Sequence, residues 1–405
     1  MYIIIGQGAA GTHAAMELRR LDPDAAVTIL TNESDSYYSR IDLPEVVAGS
    51  LSPDECRLKT LEEFQAAGII CRTGETATAI RPQEKIVELS NGEQLPFHRL
   101  LIASGSVPVK PPIPGVELPG IHVLWTLEQA RQLAGEASQS RHAVVVGAGL
   151  IGLKTALALA KRGLSVHVVE CMDRILPKQL DGEAAKIVTD ALTAHGVQVL
   201  TKVCVERFEP GTDGRVSRAI LSNGSIPCDL AVVASGVRPN TEIAKAAGLE
   251  VRRGIVTDTC LRTSAPSIWA AGDVAEVTDL LSGEPVVPAA WPVAVSQGIT
   301  AARNMAGAGM TWEPTVAMNS VEVAGVPLVS AGALEAAPGD QVLSCRRGDH
   351  YRRIVMREGQ VRGVVCIGDI RSAGVLSGLV TRGIQCGNPE ILLSPRLCIG
   401  DLINA

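Results

Sequence analysis

The chain has 405 residues, of which 46% are hydrophobic and 20% charged, and its formal net charge is −6. At about 150 residues per domain, this length allows two or three globular domains, and the composition is neither that of a disordered chain nor that of a fibrous one. The acidic balance and the aromatic content of 3% argue against a nucleic-acid-binding surface, which needs basic residues and stacking rings.

The first residues are typical of a buried strand. Residues 2–5 run directly into a glycine-rich segment, which leaves no room ahead of the strand for a charged leader and a cleavage site. The most hydrophobic stretch, residues 143–160, is interrupted by three glycines and Lys154, so it indicates a strand, a turn and a helix. We therefore expect no membrane span and a cytoplasmic protein.

Short β-branched runs alternate with Ala- and Leu-rich stretches along most of the chain. The predicted strands are 3–5, 27–30, 100–103, 144–146, 166–169 and 230–234, and the predicted helices are 11–21, 127–135, 150–162, 182–195 and 291–306. Such alternation predicts parallel sheets with crossover helices, which is an α/β fold. After residue 309 the pattern changes to hairpin-like strands at 320–323, 352–357 and 360–367, which predicts a small α+β domain.

Two glycine-rich turns of the same type follow predicted strands and open predicted helices. Both have GxGxxG spacing, with Gly6, Gly8 and Gly11 in the first and Gly147, Gly149 and Gly152 in the second. In such a motif the first glycine makes a tight turn, the second lets a pyrophosphate approach the backbone, and the third lets helix and strand pack closely. The helix N-terminus then offers free N–H groups to the phosphates. One such match is weak evidence, but two in this context predict two dinucleotide-binding domains.

A carboxylate follows each glycine motif at the distance expected of a residue that binds a ribose diol. Glu33 follows the first motif and Glu170 the second. Glu170 favours NAD, because a carboxylate repels the 2′-phosphate of NADP. Arg174 is only four residues further on, which leaves NADP open.

Later segments point to a flavin as one of the two dinucleotides. Residues 268–273 end in Gly272 and Asp273, whose carboxylate could accept a hydrogen bond from a ribityl hydroxyl. Gly-Asp alone is a common turn. The two preceding glycine motifs, together with the predicted strand that ends at Ala103 and Gly105, favour the flavin interpretation.

Together these blocks resemble the pyridine nucleotide-disulfide oxidoreductase superfamily of FAD- and NAD(P)H-dependent flavoproteins. They are residues 6–11, 100–105 with 114–115, 147–152 and 268–273. The resemblance spans essentially the whole chain and implies two Rossmann-like domains and a C-terminal domain. Their implied bounds are 1–110 and 241–309 for the FAD domain, 111–240 for the NAD domain that interrupts it, and 310–405 for an α+β interface domain.

The resemblance also implies FAD and NAD as cofactors and assigns residues to each. For FAD they are Gly6, Gly8, Gly11, Glu33, Arg40, Ala103, Gly105, Gly272 and Asp273. For NAD they are Gly147, Gly149, Gly152 and Glu170.

Residues 37–44 narrow the resemblance to one branch of the superfamily. They are similar to the flavin loop of rubredoxin reductases and of NADH-dependent nitrite reductases, in which the arginine matched by Arg40 lies near FAD. The chain is most similar to FAD/NAD subunits that accompany iron–sulfur 2-oxoacid oxidoreductases, such as phenylglyoxylate dehydrogenase. This resemblance implies hydride transfer between NAD(H) and FAD, and electron exchange with an iron–sulfur protein in a larger complex. Whether the chain also forms a homo-oligomer stays open.

The chain departs from the branches that reduce disulfides or peroxides. It has no CxxxxC pair, and Ser39 stands where the peroxide- and oxygen-reducing branch has a redox cysteine. A serine forms neither a sulfenate nor a charge-transfer thiolate, so disulfide reduction is disfavoured. Two alternatives remain: a self-contained NADH oxidase or disulfide/peroxide reductase that uses Cys56 or another thiol, and a structural flavoprotein subunit without NADH activity.

Lys154 is a second departure, because the family usually has Glu at this position after the second motif. A cation one turn into the helix could face the nicotinamide or the flavin edge and stabilise a reduced, anionic flavin. We therefore predict Lys154 as a catalytic residue. The alternative is an exposed lysine on an otherwise apolar helix.

The ten cysteines are scattered, from Cys56 to Cys398, with no CxxC pair and no metal-ligand spacing. We therefore expect most of them to be reduced, small core residues. We also expect the chain to carry no metal.

Overall fold

A computed structural model describes residues 1–394, 396–397 and 400 of the chain. The strands of this described part, β1 to β26 in chain order, are Tyr2–Ile5, Val27–Leu30, Ile69–Arg72, Ala77–Arg81, Ile86–Leu89, Gln94–Pro96, Arg99–Ile102, Ser106–Pro108, Ile121–His122, His142–Val146, Ser165–Glu170, Val197–Thr201, Val205–Pro210, Val216–Leu221, Gly224–Pro227, Leu230–Val233, Val237–Pro239, Ile255–Val256, Ile268–Ala270, Ala275–Thr278, Pro285–Val286, Met318–Val323, Val326–Gly332, Gln341–Arg347, His350–Arg357 and Gln360–Ile367. The helices, α1 to α9, are Ala9–Leu21, Leu43–Ala48, Leu61–Ala66, Leu127–Ala137, Leu150–Lys161, Gly182–Ala194, Glu242–Ala246, Trp291–Met305 and Ala373–Arg382. Two 3₁₀ turns are Arg40–Asp42 and Pro389–Leu393.

The chain divides by its internal contacts into two compact units. Unit 1 consists of Met1–Arg40, Pro53–Val107 and Val237–Thr315. Unit 2 consists of Ile41–Ser52, Pro108–Gly236 and Val316–Ala405.

Unit 1 is built on a five-stranded parallel sheet in the order β19-β7-β1-β2-β3. Every residue of β1 is buried. Because successive side chains of a strand point to opposite faces of the sheet, Ile3 and Ile4 pack in different apolar clusters. The cluster around Ile4 contains the packing faces of α1 and α8. The cluster around Ile3 contains residues of the antiparallel sheet β4-β5-β6. Both faces of the sheet are therefore covered, which is why its strands are continuously apolar.

Unit 2 contains a second five-stranded parallel sheet, in the order β12-β11-β10-β16-β9. A three-stranded antiparallel sheet, β13-β14-β15, packs its apolar side chains with those of β10 and β16. The C-terminal part is a five-stranded antiparallel sheet in the order β22-β23-β26-β25-β24, against which α9 packs. The two parallel sheets and the antiparallel C-terminal part agree with the predicted fold class.

The structure adds features that the sequence patterns did not indicate. The short meanders β4-β5-β6 and β13-β14-β15 have strands of three to six residues, in which period-2 alternation is hard to see. Among the described residues, no helix is long and apolar enough to cross a membrane.

Most of the described cysteines are free, as predicted, but one pair is an exception. Cys171 and Cys204 form a disulfide, with their Cα atoms 4.8 Å apart. They are 33 residues apart in the sequence, so no local spacing motif indicates the pair. The other described cysteines are free, and Cys398 lies outside the described residues.

Candidate functional site

The first glycine motif connects β1 to α1 at the carboxyl edge of the unit 1 sheet. Gly6 has φ +111°, in the region that side-chain-bearing residues rarely adopt, and a Cβ there would overlap the carbonyl oxygen of Ala103. A Cβ at Gly11 would overlap the carbonyl oxygen of Gly6. The helix start therefore packs closely against the strand end, which is the role of the third glycine in a dinucleotide-binding turn.

The N-terminus of α1 has free N–H groups. Gly8 is the N-cap residue, no side chain in the described part of the chain caps the helix there, and its first turn carries no acid. By contrast, the hydroxyl of Thr126 accepts a hydrogen bond from the Gln129 N–H and caps α4. An uncapped helix start with a glycine in front suits a pyrophosphate.

Glu33 follows β2 and is held by side chains of the next loop. Its carboxylate accepts hydrogen bonds from the Tyr38 hydroxyl and the Arg40 guanidinium, and Arg40 lies over the Tyr38 ring, 5.4 Å from its centroid. Each carboxylate oxygen can accept more than one hydrogen bond, so Glu33 retains acceptor capacity for a ribose. Tyr38 was not predicted as a site residue, although it belongs to the loop segment that carries Arg40.

Asp273 lies after β19, in the same unit. Its Oδ2 accepts a 2.9 Å hydrogen bond from Ser106 Oγ. Burial raises the pKa of Asp273, and the Ser106 hydrogen bond and the charge of Arg40 partly offset this effect. The structure therefore brings Asp273 and Arg40 into one electrostatic environment, as the assignment of both to FAD requires.

Gln297 on α8 is a residue of this site that sequence reasoning missed. Its side chain is fully buried, and its Oε1 accepts a 2.8 Å hydrogen bond from the Gly272 N–H. Its Nε2 is buried and has no hydrogen-bond partner among the described residues. A buried amide donor without a partner is costly, and a cofactor oxygen would satisfy it.

The residues of unit 1 thus fit FAD. The Gly6 turn packs against the backbone of Ala103, and a Cβ at Gly272 would lie 3.1 Å from the Ala10 Cβ, so the segments that carry these residues adjoin one another. The uncapped helix start and the unpaired Gln297 amide supply the donors that a pyrophosphate and a flavin ring need.

The second glycine motif repeats this geometry in unit 2. Gly147 has φ +102°, and a Cβ there would lie 2.6 Å from the carbonyl oxygen of Ala234. A Cβ at Gly152 would overlap the carbonyl oxygen of Gly147. Gly149 is the N-cap of α5, which has no side-chain cap among the described residues and no acid in its first turn. This turn also fits a pyrophosphate.

Glu170 ends β11 and binds backbone groups. Its Oε2 accepts a 2.8 Å hydrogen bond from the Ala148 N–H, and its Oε1 accepts one of 2.8 Å from the Met172 N–H. Glu170 therefore joins the glycine turn to the loop after β11, where an adenosine ribose would lie.

Lys154 lies on the first turns of α5 and is partly buried. Within unit 2, no carboxylate of the described residues lies within ion-pair distance of it. Lys161, on the same helix, instead donates a 2.7 Å hydrogen bond to Ser50 Oγ. An unneutralised cation near a dinucleotide turn can serve a ligand, and its predicted catalytic role stays a prediction.

Comparison with known proteins identifies the family to which the chain belongs. Residues 1–298 match the family model described as pyridine nucleotide-disulphide oxidoreductase. The chain belongs to this family. It is an FAD-containing, NAD(H)-dependent oxidoreductase, which confirms the resemblance and both predicted cofactors.

Three proteins illustrate what the chain is similar to. The chain is 30% identical over 387 residues to the NADH-dependent phenylglyoxylate dehydrogenase subunit epsilon of Aromatoleum evansii, a match that covers 94% of this chain and 91% of that protein. It is 30% identical over 404 residues to the benzene 1,2-dioxygenase system ferredoxin–NAD(+) reductase subunit of Pseudomonas putida, covering 99% of this chain and 97% of that one. The solved NAD-dependent persulfide reductase from A. fulgidus has a TM-score of 0.88 at 30% identity, covering 95% of this chain and 77% of that structure.

Proposed function

We propose that the chain is the NAD-reactive flavoprotein of a larger 2-oxoacid oxidoreductase complex of the phenylglyoxylate type. In this proposal it transfers a hydride between NAD(H) and FAD and exchanges electrons with an iron–sulfur protein partner. The similarity to a phenylglyoxylate dehydrogenase subunit and to a ferredoxin–NAD(+) reductase subunit supports both parts. The proposed location is the cytoplasm, where NAD(H) is available.

The observation that carries the proposal is the lack of an available thiol at the flavin loop of unit 1. Ser39 stands in the loop, and its N–H donates a 2.8 Å hydrogen bond to the carbonyl of Cys56. The Cys56 side chain is only 1% exposed. Burial raises the pKa of the Cys71 thiol to about 11. Burial shields the Cys56 sulfur from reactants, and the raised pKa keeps the Cys71 thiol protonated at neutral pH. Both observations support transfer of the electrons to another molecule.

The proposed roles of the chain's residues are binding and orientation. FAD, when bound, supplies the chemistry that couples a two-electron hydride transfer to one-electron steps. The uncapped starts of α1 and α5 hold the two pyrophosphates, and Glu33 and Glu170 bind the adenosine riboses. Asp273 would accept a hydrogen bond from the ribityl chain, and Lys154 would lie near the nicotinamide, where its charge would favour a developing anion.

NAD rather than NADP is the proposed nicotinamide cofactor. The guanidinium of Arg174 is committed to its own loop: Nη1 pairs with Asp173 at 2.9 Å, and Nε donates to the Leu180 carbonyl at 3.0 Å. Arg174 would have to break these contacts to bind a 2′-phosphate. Glu170, in turn, would repel that phosphate.

An anaerobic absorbance titration tests the proposal. We expect one equivalent of NADH to bleach the flavin band near ~450 nm, and an oxidised ferredoxin added afterwards to restore it. A flavin that neither NADH nor NADPH bleaches would instead establish the structural-subunit alternative.

The second alternative, a self-contained reductase, has support from the persulfide reductase similarity. Rapid NADH consumption by the purified chain with oxygen, peroxide or a persulfide as sole acceptor would establish it. Slow turnover with these acceptors, together with fast turnover with ferredoxin, is the result we expect.

A further inference from the structure

The Cys171–Cys204 disulfide lies next to the acid that we assign to the NAD ribose. Cys171 directly follows Glu170 at the end of β11 and is exposed, and Cys204 lies in the loop between β12 and β13. Their Cα separation of 4.8 Å is within the range that disulfides require. Neither cysteine has a place in the proposed electron transfer.

The disulfide is one of several links between the same two loops. The Lys202 N–H donates to the Met172 carbonyl at 2.8 Å, and the Val203 N–H donates to the Glu170 carbonyl at 3.1 Å. Lys202 has φ +58°, a conformation that costs a non-glycine residue free energy. The covalent bond therefore helps to hold a strained loop against the turn that carries Glu170.

The Glu170 side chain couples this turn to the glycine motif. Because its carboxylate binds both Met172 N–H and Ala148 N–H, a displacement of residues 171–172 also moves the carboxylate relative to the pyrophosphate turn. Such a displacement would change the affinity for a ligand that binds both the glycine turn and Glu170.

We propose that Cys171 and Cys204 form a reversible dithiol–disulfide site that controls NAD affinity at Glu170. This inference rests on the proposed placement of the NAD ribose at Glu170. A dithiol reductant attacks the exposed Cys171 sulfur, and the S–S bond breaks. Two electrons and two protons pass from the reductant to Cys171 and Cys204, and the reductant becomes a disulfide. In a cytosolic protein such a bond is typical of a redox-responsive site rather than a permanent one.

Closure of the disulfide favours NAD binding, because it orders the turn before the ligand arrives. We expect the Kd of the FAD-loaded protein for NAD⁺ to rise about 3- to 10-fold after reduction, which is equivalent to about 0.7–1.4 kcal/mol of binding free energy. Flavin content should be unchanged.

The test uses the FAD-loaded full chain, oxidised or reduced with dithiothreitol and freed of reductant anaerobically. Peptide mapping without reduction should find a Cys171–Cys204 cross-linked peptide, which disappears on reduction with the gain of two thiols. Calorimetric titration with NAD⁺ then gives Kd for both forms. In C171S/C204S we expect the weaker affinity under all conditions, whereas Cys345→Ser, a matched substitution in β24, should keep the redox response.

Three outcomes would overturn the inference: no cross-linked peptide in the oxidised protein, equal NAD⁺ affinity in both forms, or no NAD⁺ binding to either. The proposed function fails in a different measurement, since it requires NADH to bleach the flavin. A redox-dependent Kd in a protein whose flavin NADH does not reduce would support this inference and exclude the proposed function.

Discussion

The two glycine turns have nearly the same backbone but hold their ribose acids differently. The φ angles of Gly6 and Gly147 are +111° and +102°, and both turns lead into helices without a side-chain cap among the described residues. In unit 1, Glu33 is fixed by side chains, Tyr38 and Arg40. In unit 2, Glu170 is fixed by backbone N–H groups.

The two sites therefore depend on different features of the chain. The proposed phosphate binding uses backbone geometry in both turns, so it should tolerate side-chain change but not a new Cβ at a crowded glycine. The first acid depends on the chemistry of the flavin loop. The second depends on the conformation of its own loop, and point substitutions should therefore act differently in the two units.

Substitution of the third glycine of each motif should have the largest effect. In Gly11→Ala and Gly152→Ala, the new Cβ would overlap a backbone carbonyl oxygen that cannot rotate away, and overpacking of this kind costs about 1–3 kcal/mol. We expect purified Gly11→Ala to lose most of its 450 nm flavin absorbance. Gly152→Ala should keep its flavin but bind NAD⁺ at least about 10-fold more weakly.

Gly135→Ala is the matched control, because it lies in α4 with open space around its Cβ position. It should retain both cofactors and gain stability of about 1 kcal/mol from helix propensity. If both motif variants lost flavin equally, the assignment of one dinucleotide to each turn would be wrong.

Removal of each acid should weaken binding at one site and leave the other site unchanged. Glu170→Ala removes a charged acceptor from the ribose site, so we expect the Kd for NAD⁺ to rise about 10- to 100-fold, the usual cost of a lost charge-assisted hydrogen bond. Glu33→Ala should lower FAD affinity and leave NAD⁺ affinity unchanged. Calorimetry and flavin release measure the two effects, and crossed effects would refute the assignments.

Lys154→Met tests the predicted cation of the second site. We expect the rate of flavin reduction by NADH to fall about 10-fold, equivalent to 1.4 kcal/mol of lost transition-state stabilisation, with a smaller change in NAD⁺ affinity. Lys161→Met on the same helix is the control, since that side chain contacts Ser50. Stopped-flow traces that coincide for Lys154→Met and the native protein would leave Lys154 as a structural residue.

Asp273→Asn should have the smallest effect of these substitutions. The sign of its effect on Tm shows whether the carboxylate stabilises the fold or is kept for cofactor binding. Because burial raises the pKa of Asp273, the folded protein binds this proton more tightly than the unfolded chain does. Its contribution to stability is therefore present at acidic pH and is lost as the pH rises through the raised value. At pH 7 the neutral amide avoids this penalty, so we expect the Tm of FAD-free protein to rise by about 1–3 °C.

The same substitution should weaken FAD binding, because an amide is a poorer acceptor than a carboxylate. A Tm measured against pH provides the check: the gain of Asp273→Asn should disappear below about pH 4. A lower Tm at pH 7 would mean that the carboxylate stabilises the fold.

The sequence patterns predicted the long elements that build both sheets. The predicted strand at 27–30 and the helix start at 127 agree with the structure, and most other ends differ by one or two residues. The hydrophobic runs are unambiguous because burial is complete or nearly complete in β1, β2, β7, β10 and β16. The short antiparallel strands at 77–96 and 205–227 were missed, because they are half exposed and lack a clear period.

The candidate sites were only partly predictable. Each set of three glycines is one local motif, and each acid follows its motif by about twenty residues, a spacing that can be read from the sequence. Gln297 meets Gly272 only through tertiary packing, and its one sequence signal is a glutamine in a helix of small residues. Cys171 and Cys204 come together because β11 and β12 are neighbours in the sheet. No local spacing could have revealed that pair.

The division of the chain into interleaved segments has a consequence for the order of folding during synthesis. All strands of the parallel sheet in unit 2 have been synthesised once the chain reaches residue 233. The sheet of unit 1 is complete only after β19, and α8, which packs on it, is synthesised later still. Domains generally fold as their residues emerge. The nascent chain therefore completes the proposed nicotinamide-binding sheet first, and Asp273 and Gln297 are the last of the proposed flavin-binding residues to be synthesised.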